Sequence, residues 1–132
     1  MSAFCLTVLA VLIGDQTVKH VIRRLPGRPV VAGRLWLLRV GGPFGGVTMW
    51  SIWAAATATL VIAGRLASID PILVGLLVGG SLSHAVESSL RGSVTDYMCV
   101  RNLAFDLADL ALATGALGIV GTLLGLMPRQ LA

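Results

Sequence analysis

Four long apolar stretches, set apart by segments of a different character, organise this chain. The first covers about residues 1–13 and continues as helix to about residue 18, at the lower edge of the roughly 17–25 residues needed to cross a bilayer. The second covers 47–64 and carries no charge. The third covers 71–90, with His84 and Glu87 in its last turns, and the fourth covers 104–127, with Asp106 and Asp109 in its first. Pro71 suits a helix start and Pro128 a stop. The runs are continuous rather than alternating, which points to helices and away from a membrane β-barrel. The expected fold is an all-α membrane protein: one integral membrane domain over 1–132, built as a four-transmembrane-helix bundle.

The segment between the first two helices reads differently. Residues 19–34 are basic and interrupted by Pro26, Gly27 and Pro29, as in a linker. Residues 34–40 then read as a short strand, closed by the glycine-rich run Gly-Gly-Pro-Phe-Gly-Gly at 41–46. Such backbone cannot lie in lipid with its polar groups unsatisfied. A small strand and glycine-turn cap at the interface is therefore expected, with Trp36 at a depth that suits tryptophan. Residues 65–70 make a tight turn and 88–103 a polar connection. The first and third connections then share one membrane face.

Composition agrees with this reading. Hydrophobic residues make up 56% and charged residues 12%, about half the share of a soluble domain, and mean hydropathy is +0.90. A soluble enzyme, a disordered chain and a fibrous protein are excluded. Residues 2–13 have no preceding Lys or Arg and no following A-x-A site, so a retained helix is expected rather than a cleaved signal. The net charge is +4, but the basic residues lie beside apolar runs, so lipid head groups rather than nucleic acid are the expected counter-charge. Cys5 and Cys99 have no metal-ligand spacing.

Five of the six acidic residues fall at one membrane face: Asp15, Glu87, Asp96, Asp106 and Asp109. Only Asp70 lies opposite. Ionisable groups at membrane depth are costly and mark function. The plainer alternative is that they cap helices and pair with Lys19, Arg91 and Arg101; Asp15 and Lys19, four apart, suit such a pair. Two apposed carboxylates cannot both ionise easily, so one stays protonated. The ionised member can take a proton from water and the protonated one can polarise a carbonyl, which hydrolyses a peptide bond without a metal. His84 and Glu87 beside two aspartates could also ligate a metal, but a hydrogen-bonding role is the preferred reading and no cofactor is expected.

These residues sit in motifs that resemble the lipoprotein signal peptidases (signal peptidase II), the membrane aspartyl proteases of bacteria. Asp15-Gln-x-x-Lys19 resembles D-Q-x-x-K, and Gly41-Gly-Pro-Phe44-Gly45 resembles the tail of N-x-G-x-A-F-G. The stretch from Gly79 to Tyr97 aligns without a gap on G-G-x-x-G-N-x-x-D-R … G-x-V-x-D-F, and Phe105-Asp-Leu-Ala-Asp109 resembles F-N-x-A-D. The resemblance implies a catalytic pair at Asp96 and Asp109, support from Asp15 and Lys19, and a pocket-edging turn at Phe44 and Gly45. The chain departs from the pattern where Arg39, His84 and Asp106 replace Asn and where Glu87-Ser88 replaces Asp-Arg. Asp106 adds a third carboxyl, whose like charge is expected to raise the cost of ionising the pair.

The implied function is intramembrane cleavage of signal peptides from prolipoproteins at a diacylglyceryl-modified cysteine, in the inner membrane of a bacterial cell. The implied partners are such prolipoproteins and membrane lipid; oligomeric state stays open. Two alternatives remain: a catalytically impaired relative that binds lipoprotein, lipid or a partner protein, and a proton relay. Eight of the ten Lys and Arg lie in the first and third connections. The positive-inside rule would place these in the cytoplasm, whereas the family places the catalytic face outside, and the latter is adopted.

Overall fold

The computed structural model describes residues 2–24, 31–33, 45–91, 94–96, 98–100 and 103–129. Four helices carry the fold: α1 (Ser2–Arg24), α2 (Gly45–Leu66), α3 (Pro71–Arg91) and α4 (Leu107–Leu123). By length and composition α1, α2 and α3 can each cross a membrane, and α4 is a shorter apolar helix of 17 residues. Three-residue strands lie between them: β1 (Val31–Gly33), β2 (Val94–Asp96), β3 (Met98–Val100) and β4 (Leu103–Phe105). β1 pairs antiparallel with β2, setting the backbone of Val31 opposite Asp96, and β3 pairs with β4. The strand expected over 34–40 and the turn over 41–44 lie outside the described residues.

The largest departures from the expected helix boundaries fall in α1 and at both ends of α4, which was expected over 104–127. α1 runs to Arg24 rather than ending near Val18. Its last turns are polar because they face polar groups of α3 and α4: Asp15 and Lys19 are fully buried. α4 starts at Leu107 rather than at residue 104, since Asp106 takes an extended backbone (φ −129°, ψ −178°) and caps the helix, and residues 103–105 form β4. It ends at Leu123, where Gly125 turns the chain with φ +74°.

The α2–α3 turn is tight. Ser68 takes a left-handed φ of 54°, the N–H of Ile69 donates to the carbonyl of Gly64 at 2.9 Å, and Asp70 accepts from the N–H of Ile72 at 2.9 Å. Asp70 is thus the N-terminal cap of α3, which accounts for the one acid on the opposite side.

α3 is the central helix, flanked by α1 and α4. Apolar helices in lipid associate through small residues that let backbones approach. A Cβ at Gly79 would sit 2.9 Å from Val11 Cβ of α1, and one at Gly80 would sit 2.7 Å from the Ala108 carbonyl of α4. α2 joins α3 through indole donors: Trp50 Nε1–H to Ser89 Oγ at 2.7 Å and Trp53 Nε1–H to Ser81 Oγ at 3.0 Å. The two rings meet edge-on, 5.6 Å apart.

Burial is inverted relative to a water-soluble protein. Among the described residues the largest fully buried side chains are Lys19, Glu87, Thr122, Asp15, Asp106, Ser83 and Ser88, all polar. Leu6, Ile13, Ile62, Leu117 and Val120 are exposed. Such a surface is matched to hydrocarbon.

Candidate active site

The polar cluster is assembled where the C-terminal turns of α1 and α3 meet the N-terminus of α4. Lys19 is its hub. Its Nζ lies 2.9 Å from Asp15 Oδ2, 2.5 Å from Glu87 Oε2 and 2.6 Å from Asp106 Oδ2, and all four side chains are fully buried. A buried ammonium has three hydrogens to place, and here three carboxylates from three elements accept them. Arg23 pairs with Glu87 Oε1. Asp15 is further held by Ser83 Oγ at 2.5 Å and by the Ala108 N–H at 3.2 Å. Gln16 Nε2 donates to Ser83 Oγ at 2.7 Å.

Asp106 links this cluster to Asp109. Its Oδ1 accepts from the Asp109 N–H at 2.8 Å, while Asp109 Oδ2 accepts from the Asp106 N–H at 3.2 Å, a reciprocal capping box. His84 Nε2 lies 3.2 Å from both Asp106 oxygens and 3.4 Å from Asp109 Oδ1. Burial pushes the Asp106 carboxyl up, but hydrogen bonds from His84, Lys19 and the Asp109 N–H outweigh it and hold the group at about 2, below its ordinary 3.8. The charge of this third carboxyl therefore faces Lys19 and His84 as well as Asp109, rather than acting as unrelieved repulsion.

Asp109 differs from the acids around it. Its side chain is 37% exposed, whereas those of Asp15, Glu87 and Asp106 are at 0%. On the side of His84, a cavity of about 270 Å³ lined by Met49, Ile52, Trp53, Ser81, His84, Ala85 and Leu112 opens between α2, α3 and α4. An accessible carboxylate next to an apolar groove, backed by a dry ion cluster, is an arrangement suited to hydrolysis of an apolar substrate. His84, Asp106 and Asp109 offer donor atoms within 4.8 Å of one another, close enough for one metal ion. The Asp106 oxygens, however, are already engaged by Lys19, His84 and a backbone N–H.

The model of a known family, signal peptidase (SPase) II, matches residues 7–125. The chain belongs to the signal peptidase II family. That family is one of aspartic peptidases that process lipoproteins, and the chain is a multi-pass membrane protein. Two solved structures, each described as a bacterial membrane enzyme, share its fold. One has a TM-score of 0.72 at 20% identity, covering 94% of both chains; the other has 0.71 at 18%, covering 100% of this chain and 96% of its own. No curated protein matches.

Of the residues singled out from the sequence, Asp15, Lys19, His84, Glu87, Asp106 and Asp109 come together in one cluster. Gly45 begins α2. The backbone of Asp96 lies in β2, while Arg39 and Phe44 lie outside the described residues. Sequence reasoning did not single out Arg23 or Ser83, and Gln16 entered only as part of the first-helix motif. Their signal was helical spacing: Arg23 follows Lys19 by four, and Ser83 precedes Glu87 by four, so each shares a face with a residue already chosen.

Proposed function

We propose that this member is an active intramembrane aspartic endopeptidase that cleaves prolipoprotein signal peptides at a lipid-modified cysteine. The observation that carries the reading is Asp109: a solvent-accessible carboxylate next to His84, which lines an apolar cavity, in a site whose other described acids are buried. Asp96 is its partner in the reaction, on the motif match Gly92-Ser-Val-Thr-Asp96. The ionised member takes a proton from water, whose oxygen attacks the scissile carbonyl carbon. The protonated member hydrogen-bonds the carbonyl oxygen as charge grows there. The C–N bond then breaks and the departing amine takes up a proton, restoring one proton between the two carboxyls. Because the pair titrates as a unit, neither residue owns the shared proton.

The apolar cavity beside His84 would receive the apolar part of the substrate. α4 would complete a four-span bundle, with the α1–α2 and α3–α4 connections on the outer face of a bacterial inner membrane and the basic residues there against anionic head groups. The strand and glycine turn between α1 and α2 would cap the site.

The deciding experiment incubates the purified protein with a lipidated prolipoprotein and follows release of the signal peptide. Cleavage is expected for the unaltered chain and is abolished in Asp96→Asn and in Asp109→Asn, each still folded. Near-normal turnover in either variant would sink the assignment. Absence of cleavage by the unaltered chain, with binding of the prolipoprotein retained, would favour the non-catalytic alternative.

A further inference from the structure

His84 bridges the buried ion network and the accessible carboxylate side chain to side chain, alongside the backbone contacts of the helix cap. Three contacts run in series from the interior outward: Lys19 Nζ to Asp106 Oδ2 at 2.6 Å, Asp106 to His84 Nε2 at 3.2 Å, and His84 Nε2 to Asp109 Oδ1 at 3.4 Å. The ionised Asp106 oxygens only accept, so Nε2 is the atom that carries the hydrogen toward them.

Two groups flank the Asp109 carboxylate, one by a hydrogen bond and one at ion-pair distance. Its Oδ2 is held by the Asp106 backbone N–H, which the helix cap fixes. Its Oδ1 faces His84 alone among the described contacts. A histidine side chain has two rotatable bonds and, at this position, an open apolar cavity on one side. Without a second anchor the ring would be free to turn into that cavity. Asp106 is the anchor, and Asp106 is itself pinned by a lysine whose remaining contacts reach α1 and α3. The site thus transmits the rigidity of the buried cluster to Asp109 Oδ1 through the imidazole, as the helix cap does to Oδ2.

We propose that His84 is a positioning residue: anchored by Asp106, it holds the Asp109 carboxylate in the orientation in which it acts. The role of Asp109 in the reaction rests on the proposed function above; the contact and its orienting effect do not. The expectation follows that a side chain with an N–H donor at the place of Nε2 preserves the site, whereas an apolar one of similar volume does not. Glutamine places its amide nitrogen about as far along the side chain as Nε2, and leucine fills the space without a donor.

The test compares His84→Gln and His84→Leu. In prolipoprotein cleavage, His84→Leu is expected to lower kcat by up to about 10²-fold, the scale of a small misplacement of a reacting group, with KM little changed. His84→Gln is expected to recover most of that loss. Equal damage in both variants, or none in His84→Leu, would overturn the proposal. A second readout needs no activity. In protein carrying 13C at the aspartate carboxyl carbons, in detergent micelles, the Asp109 resonance is identified by its disappearance in Asp109→Asn. It is expected to move in His84→Leu and to stay in place in His84→Gln. An unmoved resonance in folded His84→Leu refutes the positioning role. A moved resonance in a protein that cleaves nothing would instead leave the positioning role standing and remove the proposed function.

Discussion

Replacing Lys19 by methionine isolates what the buried hub contributes. Methionine keeps a long unbranched stem, so packing is nearly conserved while the charge and its three donors disappear. The structure shows what is then left behind: Asp15, Glu87 and Asp106, which had an ammonium at 2.9, 2.5 and 2.6 Å and are fully shielded from solvent. Removing one partner of a buried ion pair costs about 3–5 kcal/mol, because the orphaned charge stays buried. Arg23 still faces Glu87, so the strain falls on Asp15 and Asp106. A loss of about 3–5 kcal/mol near neutral pH is therefore expected for Lys19→Met, measured by denaturant unfolding in detergent micelles. The pH dependence makes the cause visible. As the orphaned Asp106 carboxyl takes up a proton on acidification, its part of the penalty is relieved, so the gap between variant and unaltered protein narrows toward about pH 4. A loss below about 1 kcal/mol, the range of an exposed pair, or a gap that does not narrow with acid, would refute the reasoning.

Three further outcomes are expected. Asp106 is held at about 2 against an ordinary 3.8, so its stabilising share is complete above about 3.8 and is lost as pH falls toward 2; an acid-unfolding curve of Asp106→Asn should lack that component, and an unchanged curve would contradict it. Gly79→Val puts a Cβ 2.9 Å from Val11 Cβ and 3.2 Å from the α1 backbone at Val8, and is expected to destabilise by about 1–3 kcal/mol, read as a lowered thermal midpoint in micelles. A cysteine at Arg91 should be labelled from outside an intact cell by an impermeant thiol reagent and one at Ser68 should not; the reverse pattern would place the catalytic face in the cytoplasm and exclude the proposed substrate.

The helices were legible because lipid-facing segments advertise themselves: α2, with no charge between Val47 and Gly64, was found to within two residues at each end. Where a helix faces polar partners the same signal vanishes. Residues 19–24 of α1 looked like linker because hydropathy cannot distinguish a solvated Lys19 from one enclosed by three carboxylates. The start of α4 was read three residues early, since apolar residues 104 and 105 continue the run. The signature Asp106-x-x-Asp109 is in the sequence, and capping is weighed there as the plainer alternative, but it is not used to set where α4 begins. At the site, i,i+4 spacing gave Asp15 with Lys19. The link from Lys19 to Glu87 spans 68 residues, and that from His84 to Asp106 joins two different helices' ends. Neither follows from any local pattern. Both need the close approach of α3 to α1 and α4 at Gly79 and Gly80, which only the fold displays.

The inverted burial has a consequence for how the helices find their alignment. Two apolar helices meeting over glycine can slide along one another at small cost, because one methyl group in hydrocarbon resembles the next. Lys19 removes that freedom. A slip of α1 by one helical turn, about 5.4 Å, would carry its ammonium away from Glu87 and Asp106 together and leave charges stranded in a dry interior. During synthesis α1 emerges with Asp15 and Lys19 already opposed on one face, neutral as a pair, and can enter the membrane before α3 exists. Glu87 and then Asp106 arrive later in the chain and close on the waiting lysine in one register only. The cluster that backs Asp109 is thus also the latch that tells four greasy rods where to stop.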